Sequence, residues 1–380
     1  MAHIEKTFLV PGYYEKFACK ASDCRHTCCQ GLEIRITQAE YFRLAGMDCP
    51  KDLREKLDLS LHVLPHPDEY AYACLSPDFF GRCRMMDEKG LCALQCACGY
   101  EALTSACKYF PRSPRLTRHP SCATSNACEE TLELLFGEAE KGEPWHDTKV
   151  PLSFDLAGKE PEDTDPRSEE ISRFHAYAAS CMAGSSLLLP EKFSLLRAIA
   201  DGAPIPEEEK ALSIAAAENS AHPLRVRKEV LSALLGKIGE DYPDLTKAAE
   251  GAQSILSSCG EFLTEGDLAR ALAALSGAFP EVLPFLSLVL ANELFYSGFP
   301  RSDGLAPKEA ARVLPVFALV LVLTLQGGLP QLQTREDLID LTAAFFRMAD
   351  LTPFWRRCHL ALTEGPGDQN PDALSLSPSA

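Results

Sequence analysis

The residues best suited to chemistry in this chain are cysteines, and most of them lie near its amino terminus. Of the 16 cysteines, thirteen fall between Cys19 and Cys128. The first run is Cys19, Cys24, Cys28 and Cys29, which ends in an adjacent pair. Neighbouring residues have Cα atoms about 3.8 Å apart, too close for an ordinary disulfide between them. As thiolates, however, both can bind a soft metal or a cluster.

A second set of cysteines follows a proline-containing loop and consists of Cys83, Cys92, Cys96, Cys98 and Cys107. Cys122 and Cys128 come later, after three further prolines. A structural zinc ion and a 4Fe-4S cluster each take four thiolates as a rule. The first run has the irregular spacing C-x4-C-x3-C-C. Because zinc sites commonly have two cysteine pairs of C-x2-4-C spacing, this irregular run favours an iron-sulfur cluster over a zinc ion. Zinc remains the alternative. Because more than four cysteines are present, two arrangements are compatible with the sequence: two metal centres, or one metal centre and additional redox-active thiols.

The net charge and the hydropathy of the chain argue against some classes of function. The formal charge of −17 argues against a nucleic-acid partner, since phosphate binding depends on lysine and arginine. No basic start followed by an apolar stretch is visible at the amino terminus, so we expect a cytoplasmic protein, in which clustered cysteines bind metal more often than they form disulfides. The apolar stretch 313–325 is shorter than the roughly 20 residues of a membrane span. It predicts a buried helix and no membrane insertion.

Periodicity predicts a mainly α fold. We expect an irregular cysteine-rich metal-binding module over 1–141, a linker over 142–167, an all-α helical domain over 168–362 and a disordered tail over 363–380. Within the module, 32–36 alternates as a strand does, and Thr37 precedes Glu40 at the spacing of a helix capping box. Helical spacing predicts helices over 51–61, 99–108, 129–141, 168–184, 190–201, 206–219, 224–239, 243–259, 264–277, 280–296, 307–326 and 335–350.

Three blocks of residues together resemble a known family. The first is Pro11-Gly12-Tyr13-Tyr14 with the run from Cys19 to Cys29, and the second joins Cys83 and Cys92 to Cys107 and Tyr109-Phe110-Pro111-Arg112. The third is Cys128-Glu129-Glu130 with the leucines that follow. Over roughly residues 8–136 this pattern is similar to the flagellin lysine-N-methylases, the FliB-like proteins. More broadly, it is similar to the cysteine-rich proteins that chelate zinc or iron.

The resemblance implies methyl transfer from S-adenosylmethionine to lysine side chains of flagellin, with an iron-sulfur cluster. Its residue-by-residue match marks as cluster ligands Cys19, Cys24, Cys28, Cys29, Cys83, Cys92, Cys107 and Cys128. Tyr13, Tyr14 and Tyr109 are weak catalytic candidates that could orient the amine, or they could simply cover the metal core. Two further functions stay open: a non-catalytic zinc- or iron-binding protein, and an electron-transfer protein.

Overall fold

The computed structural model describes residues 2–30, 34–69, 71–79, 81–156, 167–184, 186–350 and 352–363. Of the tail predicted over 363–380, Thr363 is the last residue of a helix and 364–380 lies outside this range. In the described residues the chain is mostly helical with some sheet, which confirms the prediction of a mainly α fold.

The helices are α1 (Gln38–Ala45), α2 (Lys51–Ser60), α3 (Ala93–Cys98), α4 (Ser105–Tyr109), α5 (Glu129–Lys141), α6 (Ser168–Gly184), α7 (Leu189–Ala200), α8 (Glu208–Ala221), α9 (Lys228–Asp241), α10 (Thr246–Ser257), α11 (Glu265–Ala278), α12 (Val282–Ser297), α13 (Pro307–Gly328), α14 (Arg335–Asp350) and α15 (Phe354–Thr363). The strands are β1 (Ala2–Pro11), β2 (Ile34–Ile36), β3 (Leu61–Val63), β4 (Ala73–Leu75), β5 (Arg112–Arg115), β6 (Ser121–Thr124), β7 (Asp147–Leu156), β8 (Val226–Arg227) and β9 (Phe262–Leu263).

The amino-terminal part is built on a four-stranded sheet in the order β5-β6-β1-β7. Strand β1 is antiparallel to β7 over its whole length and parallel to β6. Phe8 and Val10 share one face of β1, because side chains two apart on a strand point the same way, and both are fully buried. The Phe8 ring packs edge-on against Phe154 of β7, with 5.4 Å between the ring centroids.

This sheet corrects two expectations. Residues 147–156, inside the segment predicted as a linker over 142–167, form a strand whose partner lies at the start of the chain. Their alternating residues supply the apolar face that β1 needs, while residues 157–166 lie outside the described range. The cysteine-rich part is also more regular than predicted, since a second sheet, β2-β4-β3, shares a hydrophobic cluster with α1 and α2.

The helical part surrounds α13. This helix starts with Pro307 at its first position, where a missing N–H costs nothing, and its residues 313–325 are all buried. The span Pro307–Gln331 is long and apolar enough to cross a membrane, but 83% of its most apolar window is buried against the rest of the protein. The prediction of a buried helix is therefore confirmed. The strands β8 and β9 form a two-residue pair within this otherwise helical part.

One hydrophobic core joins the two parts of the chain. Helix α5 packs on α12 and α14, and the Phe136 and Phe285 ring centroids are 5.0 Å apart. Tyr13, from just after β1, belongs to the same core. The loop that carries the first cysteines is thus held against a rigid helical base.

Candidate metal centre

The first cysteine run is attached to the start of α5 by one buried carboxylate. Glu129 lies 2.6 Å from the Lys20 ammonium group. It also accepts hydrogen bonds from the backbone N–H groups of Arg25, at 2.9 Å, and His26, at 3.2 Å. Burial alone would raise the pKa of Glu129, but these three contacts hold it below its ordinary value. The loop is therefore held in place by an ionised side chain directly after Cys128.

A second set of contacts ties the same loop to α14. The Arg25 guanidinium lies 2.7 Å from Glu133 of α5 and 2.9 Å from Asp340 of α14. Its side chain is one-third exposed, so each pair adds only modest stability. Together these ion pairs fix the orientation of the loop relative to α5 and α14.

Four of the predicted ligands gather at this end of α5: Cys19, Cys24, Cys28 and Cys128, which we call the helix group. Cys128 is the N-cap residue of α5. Burial, the Glu129 carboxylate and the Cys128 and Cys19 thiols raise the pKa of Cys24 to about 12. The pKa of Cys28 is raised in turn by its hydrogen bond to Cys29, by burial and by the same two thiols. The Cys19 and Cys128 thiols thus oppose the ionisation of Cys24 and Cys28.

The other four gather around a tight hairpin: Cys29, Cys83, Cys92 and Cys107, which we call the hairpin group. The backbone N–H of Cys83 donates to the Cys29 carbonyl at 2.7 Å. Burial and the Cys29 and Cys92 thiols raise the pKa of Cys83 to about 11. Burial and the charges of Cys83, Cys29 and Cys92 raise the pKa of Cys107 to about 12.

Two turns position the hairpin group. Asp87 closes the hairpin by accepting from the N–H groups of Lys89, at 2.8 Å, and Leu91, at 2.9 Å. Met86 and Cys92 then form an antiparallel bridge. Cys107 lies in the first turn of α4, where its N–H donates to the capping hydroxyl of Thr104 at 3.3 Å. The predicted helix over 99–108 is thus interrupted, because Thr104 begins a new helix inside it.

The adjacent pair Cys28–Cys29 connects the two groups. A hydrogen bond from the Cys28 thiol lowers the pKa of Cys29 to about 6, so Cys29 is the member that ionises near neutral pH. Cys28 and Cys107 are exposed residues, although neighbouring protein groups raise the pKa values of their thiols.

The donor chemistry of both groups fits a thiolate-bound metal. All sixteen cysteines are free thiols. Burial helps to raise the pKa values of six thiols in the two groups, so binding a cation in place of their protons would relieve that cost: Cys24, Cys28, Cys83, Cys92, Cys107 and Cys128. Within the described residues, however, no three cysteine, histidine or acidic side chains converge on one point as a metal site would require. The structure therefore brings the eight predicted ligands into two neighbourhoods without showing a metal centre.

The three candidate tyrosines are engaged in the fold. The fully buried Tyr13 hydroxyl donates to the Asn292 side-chain oxygen at 2.6 Å. Tyr14 is buried and accepts a hydrogen bond from the Cys122 thiol at 3.4 Å. The Tyr109 hydroxyl accepts from the backbone N–H of Asp155 at 2.5 Å. Burial raises the pKa values of all three, so their hydroxyl groups stay protonated near neutral pH, and their catalytic role stays a prediction.

The sequence analysis missed a buried acidic pair. Glu293 in α12 and Asp350 at the end of α14 are in contact, and burial raises both pKa values, that of Asp350 to about 7. Each has one carboxylate oxygen without a hydrogen-bond partner, and a proton shared between the two side chains satisfies them. A charged residue inside the apolar run of α12 was the signal that could have found it.

Comparisons with known proteins cover only part of the chain. It is 25% identical over 155 residues to a lysine-N-methylase of Salmonella typhimurium, and equally to one of Salmonella choleraesuis. These matches cover 40% of this chain and 38% of each relative, so the chain spans well under half the length of these relatives.

A third relative is the flagellar biosynthetic protein FliU of Salmonella muenchen, 26% identical over 136 residues, 35% of this chain and 79% of FliU. No protein-family profile and no solved structure matches the chain. Over about two-fifths of its length, the chain is similar to proteins named lysine-N-methylase.

Proposed function

We propose that this protein is a cytoplasmic, S-adenosylmethionine-dependent lysine N-methyltransferase that acts on flagellin. The similarity to two lysine-N-methylases supports the reaction, and the similarity to a flagellar biosynthetic protein supports the flagellar substrate. The observation that carries the proposal is the similarity, at 25% identity over 155 residues, to two proteins named lysine-N-methylase.

We propose further that the clustered thiols hold an iron-sulfur cluster. A bound cluster would supply an electron, or an iron position to which a ligand can bind. The chain's own part is to desolvate the thiols and fix their spacing through Glu129 and the hairpin turn.

The reaction requires a neutral amine. Lysine has a pKa of about 10.4, so roughly one amine in a thousand is free of its extra proton near pH 7.4. A chain with a net charge of −17 attracts lysine-bearing surfaces, which raises the local substrate concentration. We expect the rate to increase with pH until the amine is deprotonated.

Methyl transfer is tested with protein purified without oxygen and loaded with iron and sulfide. Incubation with flagellin and labelled S-adenosylmethionine should place label on flagellin lysines, seen as a mass increase of one or more methyl groups. Cys259→Ser, in a cysteine outside both thiol groups, should retain activity. Flagellin that stays unlabelled by folded, metal-loaded protein would refute the proposal. Bound metal without methyl transfer would favour a non-catalytic metal-binding protein. Reversible reduction of the bound cluster without methyl transfer would favour an electron-transfer protein.

A further inference from the structure

We infer that a cleft between the loop of the first cysteine run and the hairpin binds the side chain of a substrate lysine, with the Glu88 carboxylate as the ion-pair partner of its ammonium group. The cleft has a volume of about 260 Å³. Its walls are lined by Ser22, Cys24 and Arg25 on the loop and by Arg82, Met86 and Glu88 on the hairpin. The choice of lysine rests on the proposed function, whereas the choice of a cationic alkyl chain rests on the cleft itself.

Backbone contacts join the two walls beside Arg82. The Cys29 carbonyl accepts from the Cys83 N–H at 2.7 Å, and Gln30 and Arg82 form the next bridge. The loop wall is held on α5 by Glu129, which accepts from backbone N–H groups of the loop. The cleft therefore lies between two segments that are fixed relative to each other, as the walls of a preformed binding site are.

The two arginines of the cleft already have carboxylate partners. The Arg25 guanidinium lies 2.7 Å from Glu133 and 2.9 Å from Asp340. Arg82 Nε lies 3.4 Å from Asp78. A bound anion would have to compete with carboxylates that are held there by the fold. The arginines therefore do not make the cleft a site for an anionic ligand.

Glu88 differs from the other charged residues of the cleft in its lack of a partner. It is exposed in the turn of the hairpin, and its carboxylate makes no ion pair or hydrogen bond within the described residues. The neighbouring Asp87, by contrast, accepts from the N–H groups of Lys89 and Leu91 and so closes the turn. A carboxylate without a counter-ion attracts a cation. The net charge of −17 draws cations to the chain as a whole.

The size and the apolar lining of the cleft fit an alkyl chain. A volume of about 260 Å³ lies below the roughly 300–1,000 Å³ of sites for whole small-molecule ligands. The cleft therefore suits a single side chain better than a complete nucleoside cofactor. Ala21 and Met86 supply apolar contact on opposite walls, and the flexible methionine side chain can pack along methylene groups. Lysine combines an apolar stem with a terminal cation, which matches this lining.

Binding is tested with probes that reproduce the lysine side chain alone. n-Butylamine has the four carbons and the amine of lysine and is cationic near neutral pH, while n-butanol is neutral and butyrate is anionic. Full-length protein of constant metal content, labelled with ¹³C at its methionine methyl groups, is titrated with each probe, and Met86→Leu assigns the Met86 signal. Butylamine should shift the Met86 signal in a saturable way and bind several-fold more tightly than butanol or butyrate. The signals of Met182 and Met348, buried in the helical core, should not move.

Glu88→Gln removes the charge and keeps nearly the same shape. It should weaken butylamine binding by roughly two- to fivefold, as expected for a partly exposed ion pair, and should leave butanol binding unchanged. Glu55→Gln removes an exposed carboxylate of α2 outside the cleft and should bind butylamine as the wild type does. In the methylation assay, Glu88→Gln should raise the KM for flagellin, with kcat and the KM for S-adenosylmethionine unchanged.

Equal binding of butylamine by the wild type and Glu88→Gln overturns the inference. So does a Met86 signal that butylamine leaves in place, or tighter binding of butyrate than of butylamine. Glu88-dependent binding of butylamine without methyl transfer to flagellin would leave the cation site standing and refute the proposed function. Methyl transfer by a protein whose Met86 signal is unaffected by butylamine would do the reverse.

Discussion

The buried pair Glu293–Asp350 makes stability depend on pH in a defined direction. Glu293 accepts a hydrogen bond from the Trp355 indole at 2.8 Å, and Asp350 accepts one from the Ser125 hydroxyl. The other carboxylate oxygen of each residue, Glu293 Oε2 and Asp350 Oδ1, has no hydrogen-bond partner in the structure. One proton retained between the two side chains satisfies both oxygens. Burial raises the pKa of Asp350 from its ordinary 3.8 to about 7, with Asp303 adding to the effect and the hydrogen bonds with Ser125 and Glu293 opposing it.

The direction of the pH dependence follows from whether the folded or the unfolded state binds more protons. Between about pH 4 and pH 7 the folded pair keeps a proton that the unfolded carboxyl has lost, so the free energy of unfolding falls as pH rises through this window. A displacement of roughly three pKa units at about 1.4 kcal/mol each gives an upper bound of about 4 kcal/mol. Asp350→Asn removes the titrating group while keeping an acceptor for Ser125 and a donor for Glu293.

The assay is urea unfolding of wild type and Asp350→Asn at equal metal content from pH 4 to pH 8. We expect equal stability near pH 4 and a variant more stable by about 1–3 kcal/mol at pH 8. Glu55→Gln, in an exposed residue, controls for the loss of a surface carboxylate. A difference between wild type and Asp350→Asn that stays constant from pH 4 to pH 8 would refute the proton-sharing pair.

Three further predictions concern single residues. Thr37→Ala removes the capping box with Glu40 and should lower the free energy of unfolding by about 1 kcal/mol in urea, whereas Thr37→Ser should be close to wild type. Tyr13→Phe leaves the buried Asn292 oxygen without its donor and should cost about 1–3 kcal/mol, measured the same way, with kcat unchanged if the residue is structural. Cys259→Ser should leave the metal content at the wild-type value in elemental analysis, and metal loss there would contradict the ligand assignment.

Local patterns predicted much of the helical structure. Helix α5 has the predicted bounds 129–141, and α6 has the predicted bounds 168–184. The capping box at Thr37 was also predicted correctly. Helix starts and apolar periodicity depend on residues within one or two turns, so the sequence contains them directly. Helix α15 was missed, although its Trp355 is buried in the core.

Contacts between distant segments could not be predicted in this way. Strand β7 was predicted to be part of a linker because its overall composition is polar. The apolar side chains on one of its faces become buried when it pairs with β1. The acidic pair joins residues on two helices that the sequence separates by 57 positions, from Glu293 to Asp350.

The amino-acid sequence by itself determined which side chains are available for chemistry: thirteen cysteines clustered between Cys19 and Cys128, in a chain with a mainly helical pattern. Only the tertiary structure decided how those thiols divide. The Glu129 contacts draw one set to α5, and the pairing of Cys29 with Cys83 draws the other to the hairpin. Spacing along a chain fixes ligand types, whereas hydrogen bonds between remote segments fix which ligands share a neighbourhood.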